Sequence, residues 1–440
     1  MDNTYEMKTT QNQQIQKEKW NHNYFMVVIG QIISLFGNAI LRFALPLYLL
    51  NQTGSAALFG MVSACAFIPM VVLAPVGGIL ADRVNKRNIM VILDFATAAL
   101  TVAVSLLLGK ISLVGLLLVA LFLLYGISGT YQPAVQASIP ALLKEDQIMK
   151  GNAVINLVSS FASLIGPVIG GILFATYGIR PILYVSVICF IASAVMEIFI
   201  KIPYVKKPAS GNIFAIGLND LRESFSYMGK EQPLIFKFSL AIAAVNMILS
   251  ALVIIGLPVI ITQRLGFDSE TANTLYGYSQ GAIALGSLFG GMGVGMLSGK
   301  LKARDGYRIL FWDALTLIPM GIAIMLPIPR MVSYVIILVS CFVMMFFAAV
   351  FSIQIMSYLQ MIVPGHLIGK IISCAMCIGM CASPIGQAIY GALFEKVKDR
   401  TFVIFFVATA LTALVALGLK KSCRKLEEML DVKCKKVFSI

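Results

Sequence analysis

Residues 78–87 read Gly78-Ile79-Leu80-Ala81-Asp82-Arg83-Val84-Asn85-Lys86-Arg87. Four charges sit within six residues, and the stretches on either side, 56–80 and 88–109, are apolar apart from Asp94. A helix rises 1.5 Å per residue, so roughly 20 apolar residues cross the hydrocarbon of a bilayer. Each flanking stretch is that long. The ten residues therefore form a tight polar turn joining two membrane-crossing helices.

Working outward, runs of the same kind lie near 24–50, 113–135, 153–176 and 181–201, and again near 234–262, 271–298, 309–327, 331–358, 367–394 and 401–419. The expected fold is all-α and integral to the membrane, with about twelve transmembrane helices. The long fourth and tenth runs leave the count open by one. Composition agrees: 59% of the 440 residues are hydrophobic and 12% charged, against about 25% charged in soluble domains. The polar residues 1–23 are followed by a run long enough to span, so the first helix is expected to stay as an anchor rather than be cleaved.

The formal net charge is +14. Its basic residues fall in short clusters between apolar runs, a pattern that sets topology rather than binding nucleic acid. With residues 1–23 inside, 26 of the 34 Lys and Arg residues lie on the inner side and seven on the outer, leaving Arg42 within a helix. Both termini are expected in the cytoplasm, and the chain in a bacterial inner or plasma membrane. The division is a segment 1–23, a six-helix half 24–201, a linker 202–233, a second half 234–419 and a basic tail 420–440. Residues 218–229 of the linker form either an amphipathic interfacial helix or a solvated connection.

The halves repeat. An offset of 220 carries Lys150 to Lys370, Gly166 to Gly386, Gly171 to Gly391 and Phe174 to Phe394. Nearly the same offset carries Arg87 to Arg308 and Asp94 to Asp313. Six helices followed by six in the same direction is a parallel repeat.

On these residues the chain resembles the major facilitator superfamily. The 78–87 turn is similar to the superfamily's signature loop, with Gly78, Asp82, Arg83, Lys86 and Arg87 at matching places. Asn85 stands where that loop usually has Gly, and an Asn at positive φ would preserve the turn. The resemblance implies a latch, in which Asp82 pairs with cations or a helix N-terminus and lets go as the inner side opens. Helix 5 holds Gly166-Pro167-Val168-Ile169-Gly170-Gly171, which resembles an element of the superfamily's antiporters, without its additional upstream glycines. Small residues allow close helix contact and the proline bends the helix, which suits a sealed but movable contact between halves. Gly30 to Leu35, Thr53-Gly54-Ser55-Ala56, Pro133-Ala134 and Ile139-Pro140 resemble the bacterial drug-efflux branch that includes the macrolide exporters. That branch implies alternating access about a midplane site and export of amphipathic compounds driven by the proton gradient, with no bound cofactor and a monomeric chain in lipid.

Ionisable groups inside spans usually mark a pathway. Gln31, Asn38 and Arg42 share one face of helix 1. Arg42 either faces the cavity, as ligand for an anion or partner of a carboxylate, or snorkels to the outer interface. Asp94 and Asp313 lie about 9 and 6 Å into helices 3 and 9 and are candidates for the inner gate or for proton coupling. Glu197, near the inner end of helix 6, is read as interfacial. Drug exporters of the superfamily often carry an Arg in helix 4. Leu124 to Gly129 has none, so Asp94 becomes the carboxylate candidate for coupling. Tyr125, Gln132, Asn246 and Tyr278 are further cavity candidates, each equally readable as an interhelical hydrogen-bonding group.

Enzymatic chemistry finds no support. The sequence has neither HExxH nor a Ser or Cys triad. Gly290 to Gly295 reads as a packing face inside an apolar helix rather than a phosphate loop. Cys374, Cys377 and Cys381 have metal-like spacing but no nearby His, and read as small packing residues. A non-transporting sensor would need a soluble domain larger than the 420–440 tail. A facilitator of small anions using Arg42 is the main alternative to an exporter.

Overall fold

The computed structural model describes residues 2–143, 145–202, 222–297, 301–363, 367–397 and 400–438, with side chains described from 22 to 430 apart from a few positions including Asp82. Six helices come first: α1 (Asp2–Thr53), α2 (Ala56–Arg83), α3 (Lys86–Leu107), α4 (Leu113–Leu142), α5 (Glu145–Tyr177) and α6 (Ile179–Ile198). Six more follow: α7 (Pro233–Arg264), α8 (Ser269–Leu297), α9 (Ala303–Met325), α10 (Arg330–Ile362), α11 (Ile368–Lys396) and α12 (Thr401–Phe438). Lipid offers backbone groups no hydrogen bonds, so helices that satisfy their own are the form such apolar runs can take. Large side chains such as Ile92, Leu106, Ile188 and Leu414 are exposed on the helix surfaces, where lipid in place of water makes exposure favourable.

Among the described residues, eleven of these helices are long and apolar enough to cross a membrane. The remaining one is α8, at the place of the eighth expected run. Its 29 residues give the length, and they include Gly286 and Gly290. Those glycines serve packing: a Cβ on Gly286 would lie 2.3 Å from the carbonyl oxygen of Phe342, and one on Gly290 2.6 Å from that of Phe346. The backbones of α8 and α10 thus approach at a distance only glycine allows. The two runs that left the count open are each one helix, 30 residues in α4 and 33 in α10.

Irregularities have local causes. Gly178 alone separates α5 from α6, and its φ of +74° is a conformation L side chains rarely adopt. In α7, π-helical turns occupy Asn246–Ser250 and Ile260–Arg264, the second just after Pro258. Helix α9 breaks at Thr316, where Pro319 lacks the N–H that would bond back to residue 315.

The turn at 84–85 differs from expectation. Asn85 has φ −59° and ψ 117° and caps α3, its Oδ1 accepting the Arg87 N–H at 3.1 Å. The backbone is extended rather than left-handed. Asn is favoured here for its capping oxygen, not as a substitute for glycine's freedom. Helix α12 continues to Phe438, and Cys423 and Leu426 are fully buried. Of the linker piece 218–229, residues 218–221 lie outside the described residues, and Tyr227–Glu231 is a π turn.

The chain forms two compact units. The first comprises Met1–Leu45, Pro69–Leu173 and Tyr177–Ser210; the second comprises Pro46–Ile68, Phe174–Thr176 and Gly211–Ile440. In the first, α3 packs along α6 and α4. A core of Val27, Ala81, Met90, Val135, Ile139 and Leu142 closes the end where α2 turns into α3. In the second, α8 lies along α10, α11 along α7, and α12 along α9.

Candidate functional site

A polar seam runs along α1 of the first unit. Gln31, Ser34, Asn38 and Arg42 follow at helical spacing, and each meets a partner on a neighbouring helix. Gln31 Nε2 donates to the Tyr131 hydroxyl at 2.6 Å, and that hydroxyl donates to Glu197 Oε1 at 2.7 Å. Ser34 Oγ donates to Asp94 Oδ1 at 2.9 Å. Asn38 Nδ2 reaches Ser128 Oγ at 3.4 Å. The Arg42 guanidinium lies 3.9 Å from the centre of the Tyr125 ring, within range for a cation–π contact. Arg42 Nε and Nη2 are buried without a hydrogen bond. The head group is held against α4, so it does not snorkel away from the helices.

The predicted residues thus divide. Gln31, Asn38, Arg42, Tyr125 and Asp94 come together in this seam, and Gln132 flanks it half-buried. Asn246 and Tyr278 belong to the second unit. Asn246 ties α7 to α11 by donating to the Gly379 carbonyl at 3.3 Å and accepting from Ser250 at 3.1 Å. Tyr278 is 45% exposed on α8. Asp313 is fully buried in α9, and among the described residues neither of its oxygens has a hydrogen-bond partner.

Glu197 overturns its interfacial reading. It is 0% exposed. Position near a helix end did not expose it, because α1 and α4 cover that end: a Cβ on Gly30 of α1 would lie 3.6 Å from Glu197 Cγ, and Tyr131 bonds its carboxylate. Asp94, 3% exposed, meets the same face of α1 through Ser34. The sequence singled out neither Glu197 nor Ser34 for this site. The usable signal was a carboxylate inside an otherwise apolar run.

The 78–87 turn adjoins this site. An Arg87 guanidinium nitrogen donates to the carbonyl of Ile198, the residue after Glu197. Lys86 opens α3, Arg83 ends α2, and the Asp82 side chain lies outside the described residues. The packed glycine is Gly77, whose added Cβ would meet Thr130 Cα at 2.6 Å, while among the described residues nothing lies within 4 Å of one on Gly78. In α5, Cβ atoms on Gly166 and Gly170 would meet Ala39 Cβ at 2.5 Å and Phe43 Cδ1 at 3.2 Å. Both glycines face α1 inside the first unit, with Pro167 between them and Gly171 buried behind. At the far end of the α3–α6 pair, a cavity of about 500 Å³ is lined by Val102, Leu106, Lys110, Arg180, Tyr184 and Ile188, and no carboxylate borders it. Among the described residues, no group of His, Cys, Asp and Glu is placed to hold a metal ion.

The described residues form a bundle of apolar helices with a few buried ionisable groups. A family model described as Major Facilitator Superfamily matches residues 27–386. The chain belongs to the major facilitator superfamily. Over 406 residues it is 24% identical to macrolide efflux protein A of Streptococcus pyogenes, covering 91% of this chain and 95% of that protein. It is 22% identical over 403 residues to the multidrug efflux pump Tap of Mycolicibacterium fortuitum, covering 90% and 95%. Solved superfamily structures share the fold. A D-xylose–proton symporter superposes with TM-score 0.68 at 15% identity over 90% of this chain and 96% of the other. The peptide transporter POT in complex with sulfate gives 0.70 at 12% over 92% and 95%. This superfamily member is a multi-pass membrane transporter, not an enzyme.

Proposed function

We propose that the protein exports drugs or other amphipathic small molecules from the cell in exchange for protons, by alternating access. The observation that carries this reading is the pair of efflux relatives matched over about nine-tenths of the chain. The α1–α4 seam supports it. Aromatic and amide groups in apolar surroundings suit amphipathic substrates, and carboxyl groups buried in spans supply places for a driving proton. Both termini lie in the cytoplasm, the 78–87 turn with Asp82 and Arg83 acts as the inner latch, and the bend at Pro167 eases helix movement. Asp313 belongs to the inner gate. The chain works as a monomer.

The test is accumulation of a labelled macrolide and a lipophilic cation in cells lacking their own pumps, with and without the protein and a protonophore. Lower accumulation that the protonophore abolishes is the expected result. No difference for either compound overturns the reading.

A second reading has an observation of its own. The unbonded Nε and Nη2 of Arg42 over Tyr125 leave a buried cation able to bind an anionic substrate. Arg42→Gln would then abolish transport of organic anions and spare neutral and cationic compounds.

A further inference from the structure

We infer that Asp94 and Glu197, held by Gln31, Ser34 and Tyr131, form one proton-binding site whose two carboxyl groups share exchangeable protons. The inference rests on the export reading only for the use made of the proton; the site itself is tested without transport.

Hydrogen-bond donors and acceptors do not balance here. One N–H of the Gln31 amide goes to Tyr131, the Tyr131 O–H to Glu197 and the Ser34 O–H to Asp94, while the Ser193 hydroxyl, which also lies against Asp94, donates to the Gly30 carbonyl at 3.0 Å. Three buried atoms remain without a partner: Gln31 Oε1, Asp94 Oδ2 and Glu197 Oε2. All three are acceptors. Leaving a buried acceptor unpaired costs about 1–3 kcal/mol, so the arrangement calls for added donors or positive charge.

No side chain supplies them. Among the described residues neither carboxylate has a salt-bridge partner. The nearby cation, Arg87 on α3, donates through one terminal nitrogen to the Ile198 carbonyl, and its Nε is buried without making a hydrogen bond to either carboxylate. Tyr24 of α1 donates to the Gly151 carbonyl. The remaining walls near Tyr131 are apolar: Val27, Ala81, Met90, Val135 and Ile200. Two carboxylates without a cation cannot both stay ionised in such surroundings. A proton on one turns an acceptor into a donor and removes a charge in the same event. A hard metal cation would compete for the same three oxygens, so the experiment separates the two.

The site adjoins the 78–87 turn. Ile198, held by Arg87, ties the end of α6 to the turn that opens α3, so a change of charge on Glu197 is felt one residue from that contact. Gln31 and Ser34 lie on the same face of α1 as Arg42, which carries the change along the seam.

The experiment is infrared spectroscopy of the purified full chain in lipid nanodiscs while the bath pH is stepped. The signal is the carbonyl stretch of protonated carboxylic acids. The expected result is a pH-dependent acid band that splits by isotope when either ¹³C-glutamate or ¹³C-aspartate is incorporated, that changes in Glu197→Gln and in Asp94→Asn, and that shifts in Tyr131→Phe. Isotope labelling needs no substitution, so a variant that misfolds on gel filtration does not decide the matter. Absence of the band in the wild type overturns the inference. So does a band unaffected by labelled glutamate, which would place the proton on Asp313 or another aspartate. A band suppressed by sodium chloride relative to choline chloride overturns it in favour of a metal-cation site. Should the band be present while transport ignores a protonophore, the proton site stands and proton-driven export falls. Should protonophore-sensitive export proceed with no band, export stands and the site falls.

Discussion

At the scale of single residues, the seam turns on hydroxyl groups as much as on charges. Tyr131 accepts from Gln31 and donates to Glu197, so Tyr131→Phe strands two buried partners at once. The expected loss is about 1–3 kcal/mol, read as a lower denaturation midpoint in nanodiscs; an unchanged midpoint would mean that water replaces the hydroxyl. Asp94 was legible in the sequence because it interrupts an apolar run and has a counterpart in Asp313. Glu197 was not, because distance from a helix end along the chain says nothing of which neighbouring helix covers that end. Asn85 was placed correctly in a turn but for the wrong reason: its residue type suits both a left-handed turn and a helix cap, and only the backbone angles separate the two.

Among the helices, small residues decide which faces touch. Gly77 and Gly78 are adjacent in α2 and differ in surroundings. Gly77→Ala places a Cβ against Thr130 backbone, and overpacking of this kind costs about 1–3 kcal/mol. Gly78→Ala meets open space and is expected to leave folded yield unchanged, though the resemblance marks Gly78 as the motif residue. Parallel expression trials scored by fluorescence gel filtration compare the two. The sequence showed that glycines cluster in α2, α5 and α8, but a spacing of small residues does not name the partner helix. A second test concerns α8. Asp268 Oδ2 accepts the Thr271 N–H at 2.9 Å, and that bond holds the exposed carboxyl below its usual range. A depressed folded value means the cap stabilises above the unfolded value of about 4 and that this contribution is lost as pH falls through the folded one. Asp268→Ala should therefore melt lower than wild type at neutral pH, and the gap should close in acid; a gap constant with pH refutes the charged cap.

For the molecule as a whole, the number and order of helices were readable from apolar run length, since lipid imposes that length directly. The asymmetry of Lys and Arg predicts orientation in turn. Alkaline phosphatase fused after Gly178 should be active, and fused after Val84 inactive, while green fluorescent protein fused at the C terminus should fluoresce. The reverse pattern would invert the topology. What run length could not supply is the internal wiring of each unit. The α1 seam depends on which residues of α3, α4 and α6 face it, and three helices can be rotated many ways without changing hydropathy.

The close seam between α8 and α10 has a consequence for biogenesis. A segment whose face toward α10 is bare backbone offers lipid little side-chain surface on that face as it leaves the ribosome. Helix α8 is therefore expected to await α10 before it settles in the bilayer, and Gly286 and Gly290 then act as insertion determinants, deciding whether the chain completes its passage through the membrane at all.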